Sequence, residues 1–199
     1  MENTNVTESP ILRDIVDELR KAKRMAERAF EQLDDEDFFF RLNDDANSIH
    51  VIVKHLAGNM RSRFTDFLTS DGEKPDRNRD SEFVEPDPVG PRPLRGETLA
   101  MWERGWAVVF EALAGLSDAD LAGRTVRVRG EPMSAFAAIN RQTAHYSYHV
   151  GQIVLLAKHI KLMRGESWNY LTVPRGQSGQ FNQAMDARRD APGDPRMKR

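Results

Sequence analysis

The 199-residue chain carries 29 Lys and Arg against 31 Asp and Glu, which leaves a formal net charge of −2. This near balance argues against a nucleic-acid or anionic-membrane partner recognised through bulk charge. The sequence has no cysteine, so it has no disulfide framework and no thiolate ligand or nucleophile of its own. No run approaches the roughly 20 apolar residues of a membrane-spanning helix, and residues 1–8 are too polar and acidic for a signal peptide. We therefore expect a cytoplasmic protein with no nucleic-acid or membrane partner.

The length fits a single domain with enough residues to bury a substantial core. We expect residues 1–8 to be a flexible N-terminus, residues 9–168 to form the folded domain, and residues 169–199 to be an extended tail. The tail is mostly polar and interrupted by proline and glycine, so its last residues, roughly ten of them, are predicted to be disordered.

The first predicted helix begins at Ser9 and Pro10, where a capping residue precedes a proline of the first turn. Apolar residues then recur at helical spacing over residues 11–25, and the pattern fades near residue 33. The three phenylalanines at 38–40 follow an acidic connector and are predicted to plug the core.

A second helix is predicted from about Asn47 or Ser48 to about Leu68, with an apolar face along its length. Gly58 inside it costs about 1 kcal/mol relative to alanine, which is tolerable if a neighbouring backbone approaches closely there. Residues 70–93 contain many prolines and glycines and break any periodicity. A loop this long tends to be functional or mobile, and we interpret it as a crossover that covers one end of the fold.

The third predicted helix spans about Glu97 to Leu113, and the fourth runs from Ser134 to about Met163. Between them, residues 125–133 alternate around a glycine, which predicts a short β-hairpin or an extended link. Four amphipathic helices with one long crossover indicate an all-α fold, a four-helix bundle. Such bundles build ligand and metal sites in their core from side chains on facing helices.

Three histidines form a candidate metal site in this bundle. His145 and His149 are four residues apart on the fourth helix, so they leave the same face one above the other. His55 lies on the second helix and completes a set of three nitrogens. Three protein ligands with one open position are typical of a site for chemistry, whereas structural sites are usually closed by four ligands.

The two remaining histidines fit the site less well. His50 and His55 are five residues apart, so they point about 140° away from each other and only one of them can face the bundle axis. The apolar neighbours of His55 favour it as the inward residue, and His50 is predicted to face solvent or the flank of the helix. His159 lies about 15 Å along the axis from His149, too far to share an ion.

Other polar residues near the histidines could serve the same site. Metal-bound imidazoles need acceptors for their second N–H, and four residues are candidates: Asn59, Gln142, Gln152 and Glu131. Each could equally be an ordinary surface amide or acid. Arg61 and Arg63 could attract an anionic substrate at the end of the second helix, although a solvated helix face explains them equally well. Imidazole suits zinc, nickel, copper and iron, so the ligands alone do not choose the metal.

The segments that carry these residues resemble a known superfamily. They are residues 47–49, 54–63, 65–74, 77–80, 145–153 and 173–178. The chain is similar to the DinB/YfiT-like superfamily of metal-binding four-helix bundles, and more specifically to its bacterial subfamily called domain of unknown function 1572. The resemblance implies that one histidine of the second helix and two of the last helix bind a divalent ion, which here are His55, His145 and His149.

The resemblance also implies a function class. Relatives in the superfamily are commonly homodimers, and some transfer a thiol cofactor such as bacillithiol, mycothiol or glutathione onto electrophiles, or isomerise with it. We expect a homodimeric, metal-dependent enzyme that holds zinc or nickel, with iron or manganese as alternatives, and that uses a small-molecule substrate and a thiol cosubstrate. The alternatives are a metal-dependent hydrolase and a non-enzymatic, stress-associated bundle whose metal is structural or adventitious.

Overall fold

A computed structural model describes residues 10–87, 89–91 and 93–189. The predicted N-terminus at 1–8 and the predicted disorder of the last residues lie outside this part. The described residues are mostly helical, with one small sheet, which confirms the all-α class. The elements are α1 (Pro10–Phe30), a 3-10 turn (Asp35–Phe39), α2 (Ile49–Phe64), α3 (Arg79–Glu82), α4 (Arg95–Ala114), α5 (Asp118–Gly123), β1 (Thr125–Val128), β2 (Glu131–Ser134), α6 (Ala135–Met163) and α7 (Ser178–Arg189). Across the described ranges, every helix is too short or too polar to cross a membrane.

Serine caps set the starts of the two helices that carry the histidines. The hydroxyl of Ser48 accepts the backbone N–H of the third residue of α2, and Ser134 does the same for α6. These starts agree with the predicted ones. Helix α2 ends at Phe64, four residues before the predicted Leu68, because the backbone is extended at Thr65 and left-handed at Asp66, where φ is 50°.

The four long helices pack around one core. Helix α2 lies against α4 and α6, and α1 lies against α6 and α4. Gly105 of α4 makes the α2–α4 approach possible, since a β-carbon there would lie 3.1 Å from the Cα of Ala57 and 2.9 Å from the sulfur of Met60. The largest buried side chains of this core include Leu12, Leu19, Phe38, Leu56, Met60, Trp102, Trp106, Tyr146 and Ile153.

The segment between α2 and α4, residues 65–94, contains the crossover predicted at residues 70–93 and is here called the crossover segment. It contains the short helix α3, and it is tied to the β1–β2 hairpin at Asp71. The carboxylate of Asp71 accepts the backbone N–H groups of Arg129 and Gly130 at 2.8 and 2.7 Å. Both turn residues have positive φ, 56° and 79°, as a tight type I′ hairpin turn requires. Of the two predicted forms of residues 125–133, the hairpin is therefore the one observed.

Two further predictions about this fold are wrong. Residues 178–189, expected to be part of an extended tail, form helix α7. His50, expected to face solvent or the flank of its helix, is only 3% exposed, and its Nδ1 lies 2.7 Å from the hydroxyl of Thr98 on α4. The prediction assumed one buried face, but α2 is covered by α4 on one side and by α6 on another, so histidines about 140° apart are both buried. His159 packs beside Phe40, away from the other histidines.

Candidate metal centre

Three imidazoles from two helices converge at one point. The Nε2 of His145 lies 3.3 Å from the Nε2 of His55 and 3.1 Å from the Nε2 of His149. His55 and His149 are buried and His145 is half-buried. Nitrogens bound to one tetrahedral ion at its usual distance are separated by about 3.3 Å, so the three side chains already have the spacing of a ligand set. The structure thus brings together the three histidines predicted from the sequence.

On the α2 side, a buried ionic chain orients His55. Its Nδ1 lies 2.9 Å from Oε2 of Glu82 in α3, and Arg77 donates two hydrogen bonds of 2.8 Å to the same carboxylate. Burial raises the pKa of Glu82, but the bonds from His55 and Arg77 outweigh it and hold this pKa below its ordinary value. An ionised carboxylate only accepts, so His55 carries its hydrogen on Nδ1 and turns the lone pair of Nε2 toward the other histidines.

Gly58 makes room for this carboxylate. It lies one helical turn after His55, and a β-carbon there would be 2.8 Å from Cδ of Glu82 and closer still to its Oε1. From the sequence, Gly58 was tolerable if a neighbouring backbone approached it closely, and the structure places a side chain there. The glycine and the carboxylate are therefore parts of one arrangement.

On the α6 side, a neutral chain orients His149. Its Nδ1 lies 2.7 Å from Oε1 of Gln152, and the amide nitrogen of Gln152 donates to the hydroxyl of Tyr148 at 3.1 Å. In this amide orientation Oε1 is the acceptor, and Nδ1 of His149 is then the donor. The Nε2 lone pair of His149 is thus also directed at the centre of the cluster.

The three histidines have too few ring N–H groups to pair every Nε2 lone pair in a hydrogen bond. The Nε2 of His145 faces two lone pairs, and a neutral imidazole nitrogen can donate only one hydrogen bond. Burial, together with the neighbouring His149 and His55 rings, lowers the pKa of His145 to about 4, and burial also lowers the pKa of His149. Both are therefore neutral near pH 7, which is the form that binds a metal. The residues fit a divalent cation at the point where the three Nε2 atoms meet.

The other polar residues proposed around the site are dispersed. Gln152 contacts His149, as described above. Asn59 accepts a hydrogen bond from the hydroxyl of the buried Tyr146 at 3.2 Å and lies beside His55 and His145. Gln142 is buried one turn before His145, and within the described structure neither its Oε1 nor the Nδ1 of His145 has a hydrogen-bond partner. Glu131 lies exposed at the start of β2, outside the site, which favours the interpretation as an ordinary surface acid.

The two candidate arginines of α2 point in different directions. Arg63 is buried and donates to the carbonyl of Gly72 and to Glu73, so it joins α2 to the crossover segment. Arg61 makes an exposed ion pair with Asp76 at 2.8 Å and does not line the cavity beside the histidines. Only Arg63 is therefore near the candidate centre.

A cavity of about 440 Å³ lies against His55 and His145. Its other lining residues are Asn59, Arg63, Arg77, Arg79, Arg129, Arg141 and Gln142. The sequence did not reveal five of the residues around this site: Glu82, Arg77, Arg79, Arg129 and Arg141. The available signal was the cluster of charges within residues 73–82, in a crossover too long to be a simple connector.

Comparison with known proteins places the chain in a family. The chain belongs to the family described as "Protein of unknown function (DUF1572)", whose model matches residues 7–177. The match contains all three histidines, the crossover segment and the hairpin. No curated protein matches the chain.

Proposed function

We propose that this protein is a divalent-metal-dependent enzyme in which His55, His145 and His149 hold the ion and the neighbouring cavity admits a small substrate. One observation carries the proposal: the Nε2 atoms converge within 3.1 and 3.3 Å, while hydrogen bonds commit the other nitrogens of His55 and His149. Histidines that only fill space in the core would not be expected to direct lone pairs at one another, because unpaired buried polar atoms are destabilising.

We also propose the fold that the resemblance implies. We assign the four long helices to a DinB/YfiT-like bundle, supported by one ligand from α2, two from α6, and a long crossover between α2 and α4. The homodimer and the cytoplasmic location remain predictions from the resemblance and the composition. Zinc or nickel is the expected ion, with iron or manganese as alternatives.

A divalent ion in such a site supplies Lewis-acid activation of a thiol or water and stabilises developing negative charge. The chain's own contribution is to position the ion and to bind the substrate beside it. No acidic residue lines the cavity in the described part of the chain, and Glu82 is occupied by His55 and Arg77. Water at this ion would lack a carboxylate base in the cavity to take up its proton, whereas a thiol is the more acidic group and needs less help to ionise. This favours a thiol-cosubstrate transferase over a hydrolase, with the thiol supplied in trans because the chain has no cysteine.

Elemental analysis tests the proposal directly. Wild type, His55→Ala, His149→Ala and the control His159→Ala are purified and analysed for zinc, nickel, iron, copper and manganese. His159 is a suitable control because it is on the same helix as His149 but packs beside Phe40 instead. We expect about one equivalent of one metal in wild type and control, and loss from both other variants, with unchanged circular dichroism. Stoichiometric metal in His55→Ala or His149→Ala would refute the ligand assignment.

The rival function is a non-enzymatic bundle with a structural metal. A structural ion contributes its binding energy to folding, so its removal should collapse the melting temperature. In the enzyme proposal the apolar core forms without the ion, and chelation should lower the melting temperature only modestly. Thermal unfolding with and without a chelator distinguishes the structural ion from the enzyme proposal. If chelation lowers the melting temperature only modestly, a screen of thiol cosubstrates follows.

A further inference from the structure

The cavity beside His55 and His145 has a strongly basic wall. Five arginines reach it, and none of its lining residues in the described ranges is acidic. They are Arg63 from α2, Arg77 from the crossover segment, Arg79 from α3, Arg129 from the hairpin turn and Arg141 from α6. Because these arginines come from four separate parts of the fold, the basic wall is a product of the tertiary structure and not of one polar helix face.

Two of these arginines are fully engaged in holding the site together. Arg77 makes its bonds to Glu82 through Nε and Nη2 and approaches Glu73 at 3.5 Å through Nη1. Arg63 bonds Glu73 at 3.0 Å and the carbonyl of Gly72. These guanidinium groups contribute positive charge to the cavity, but they have few N–H groups left for a ligand.

The other three arginines form an exposed rim with donors to spare. Arg129 uses Nε to bond Glu73 at 3.0 Å, which leaves its two terminal nitrogens available. Arg79 has a loose ion pair of 4.0 Å with the exposed Asp80. Arg141, one turn before His145, has no side-chain partner anywhere in the described structure. Among the described residues, only Arg129 of these three has a carboxylate closer than 4.0 Å, so the rim presents guanidinium N–H groups that are available to a ligand.

The balance of charge indicates what this cavity binds. Two carboxylates, the half-buried Glu73 and the buried Glu82, pair with three of the five guanidinium groups, and a divalent ion would add more positive charge. The planar donors of arginine match carboxylate and phosphate oxygens. A volume of about 440 Å³ suits a small molecule. Gln142, 5% exposed and with an unpaired amide oxygen, adds a buried polar group to the same wall.

We propose that the substrate is a small molecule with a carboxylate or phosphate group, which Arg79, Arg129 and Arg141 bind at the rim while its reactive end reaches the three histidines. This inference rests on the proposed function for the reactive end only. The anion site itself consists of residues of the chain and exists without the ion.

Calorimetric titration of the metal-free protein at low salt tests the anion site. The probes are inorganic phosphate, succinate and acetate, and the proteins are wild type, Arg141→Glu, Arg141→Gln and Arg24→Glu. Arg24 is an exposed arginine of α1 that does not line the cavity, so its variant carries the same charge change elsewhere. We expect Arg141→Glu to weaken binding of phosphate or succinate about tenfold or more, Arg141→Gln to weaken it less, and Arg24→Glu to leave it unchanged. Whichever of phosphate and succinate binds more tightly identifies the anion class, phosphate or carboxylate.

Two results would overturn the inference: no binding of either phosphate or succinate to wild type, or equal weakening by Arg141→Glu and Arg24→Glu. A second titration, after loading with zinc, compares mercaptoacetate with acetate. Tighter binding of the thiol acid, with the gain lost in His55→Ala, supports both proposals. If the protein binds no metal, the enzyme proposal fails while the metal-free titration still decides the anion site. If metal binds but the anions do not, the anion site alone is refuted.

Discussion

The two halves of the candidate centre are held by different chemistry. On the α2 side, His55 is fixed by Glu82 and Arg77, a buried ionic chain in which the arginine side chain is only 2% exposed. On the α6 side, His149 is fixed by the amide of Gln152, which bonds in turn to the exposed Tyr148. The first chain is charged and dry, whereas the second is neutral and reaches water.

This difference follows from how each helix is used. Helix α6 aligns its two histidines by its own geometry, since residues four apart share a face. Helix α2 contributes a single histidine, whose ring orientation depends on a carboxylate 27 residues later in the crossover segment. The α2 half therefore links ligand orientation to the stability of a loop, while the α6 half needs little outside its helix. Four substitutions test this contrast.

The largest effect is expected from Glu82→Ala. The substitution removes the acceptor of His55 and leaves the buried Arg77 with only the more distant Glu73, at 3.5 Å. Breaking a buried ion pair from one side costs about 3–5 kcal/mol of unfolding free energy, and loss of a ligand's hydrogen-bond partner lowers metal affinity up to about 100-fold. Denaturant unfolding and competitive metal titration measure the two effects.

Glu82→Gln is the matched variant. It keeps a carbonyl oxygen for Nδ1 of His55 but removes the negative charge from Arg77, so metal affinity should fall less than in Glu82→Ala. If Glu82→Ala unfolds within 1 kcal/mol of wild type, the ionic chain does not stabilise the α2 half, because buried pairs cost more than this to break.

The next effect is expected from Gly58→Ala. The new β-carbon would overlap the carboxylate of Glu82, which must shift away from His55. Overpacking of this kind costs about 1–3 kcal/mol, and metal affinity should fall with it. Gly151→Ala is the control, since Gly151 is also inside a helix but its β-carbon would meet no heavy atom of the described residues within 4 Å. There alanine should stabilise by about 0.5–1 kcal/mol. If Gly58→Ala and Gly151→Ala change the free energy of unfolding equally, as measured by thermal unfolding, the position of Glu82 does not depend on Gly58.

The same contrast explains what the sequence could predict. The pair His145 and His149 follows from a local rule, and His55 follows from the apolar pattern of its helix, so the three imidazoles were found. Glu82 and Arg77 were missed because the path of a crossover segment has no periodicity to read. The bond from Glu82 to His55 exists only in the tertiary structure.

The wrong helix end has a similar cause. Phe67 and Leu68 continue the apolar pattern of α2, and they do pack against the core, but from a turn after Asp66. Apolar spacing reports burial and not the hydrogen bonds of the backbone, so the predicted helix was four residues too long. Helix α7 was missed for the opposite reason, because its polar sequence lacks the apolar stripe that marks a packed helix.

A smaller effect is expected from Gln152→Ala on the α6 side. Nδ1 of His149 loses its acceptor, but the neighbouring exposed Tyr148 shows that water can reach this edge and replace it. We expect metal affinity to fall about tenfold or less, the lower end for such partners, and unfolding free energy to change by less than about 1 kcal/mol. Competitive metal titration beside Glu82→Ala measures the difference, and a loss as large as in Glu82→Ala would abolish the contrast between the two halves.

The smallest effect is expected from Arg61→Ala, which tests where the α2 half ends. Arg61 was an equal candidate with Arg63 from the sequence, but its ion pair with Asp76 is exposed to solvent on both partners. Exposed pairs of this kind contribute little, because water and salt screen them. Melting temperature, metal content and phosphate affinity should therefore match wild type within error. A clear loss of phosphate affinity would extend the anion site around α2 to Arg61, and the charge of that helix, not the cavity alone, would then recruit the ligand.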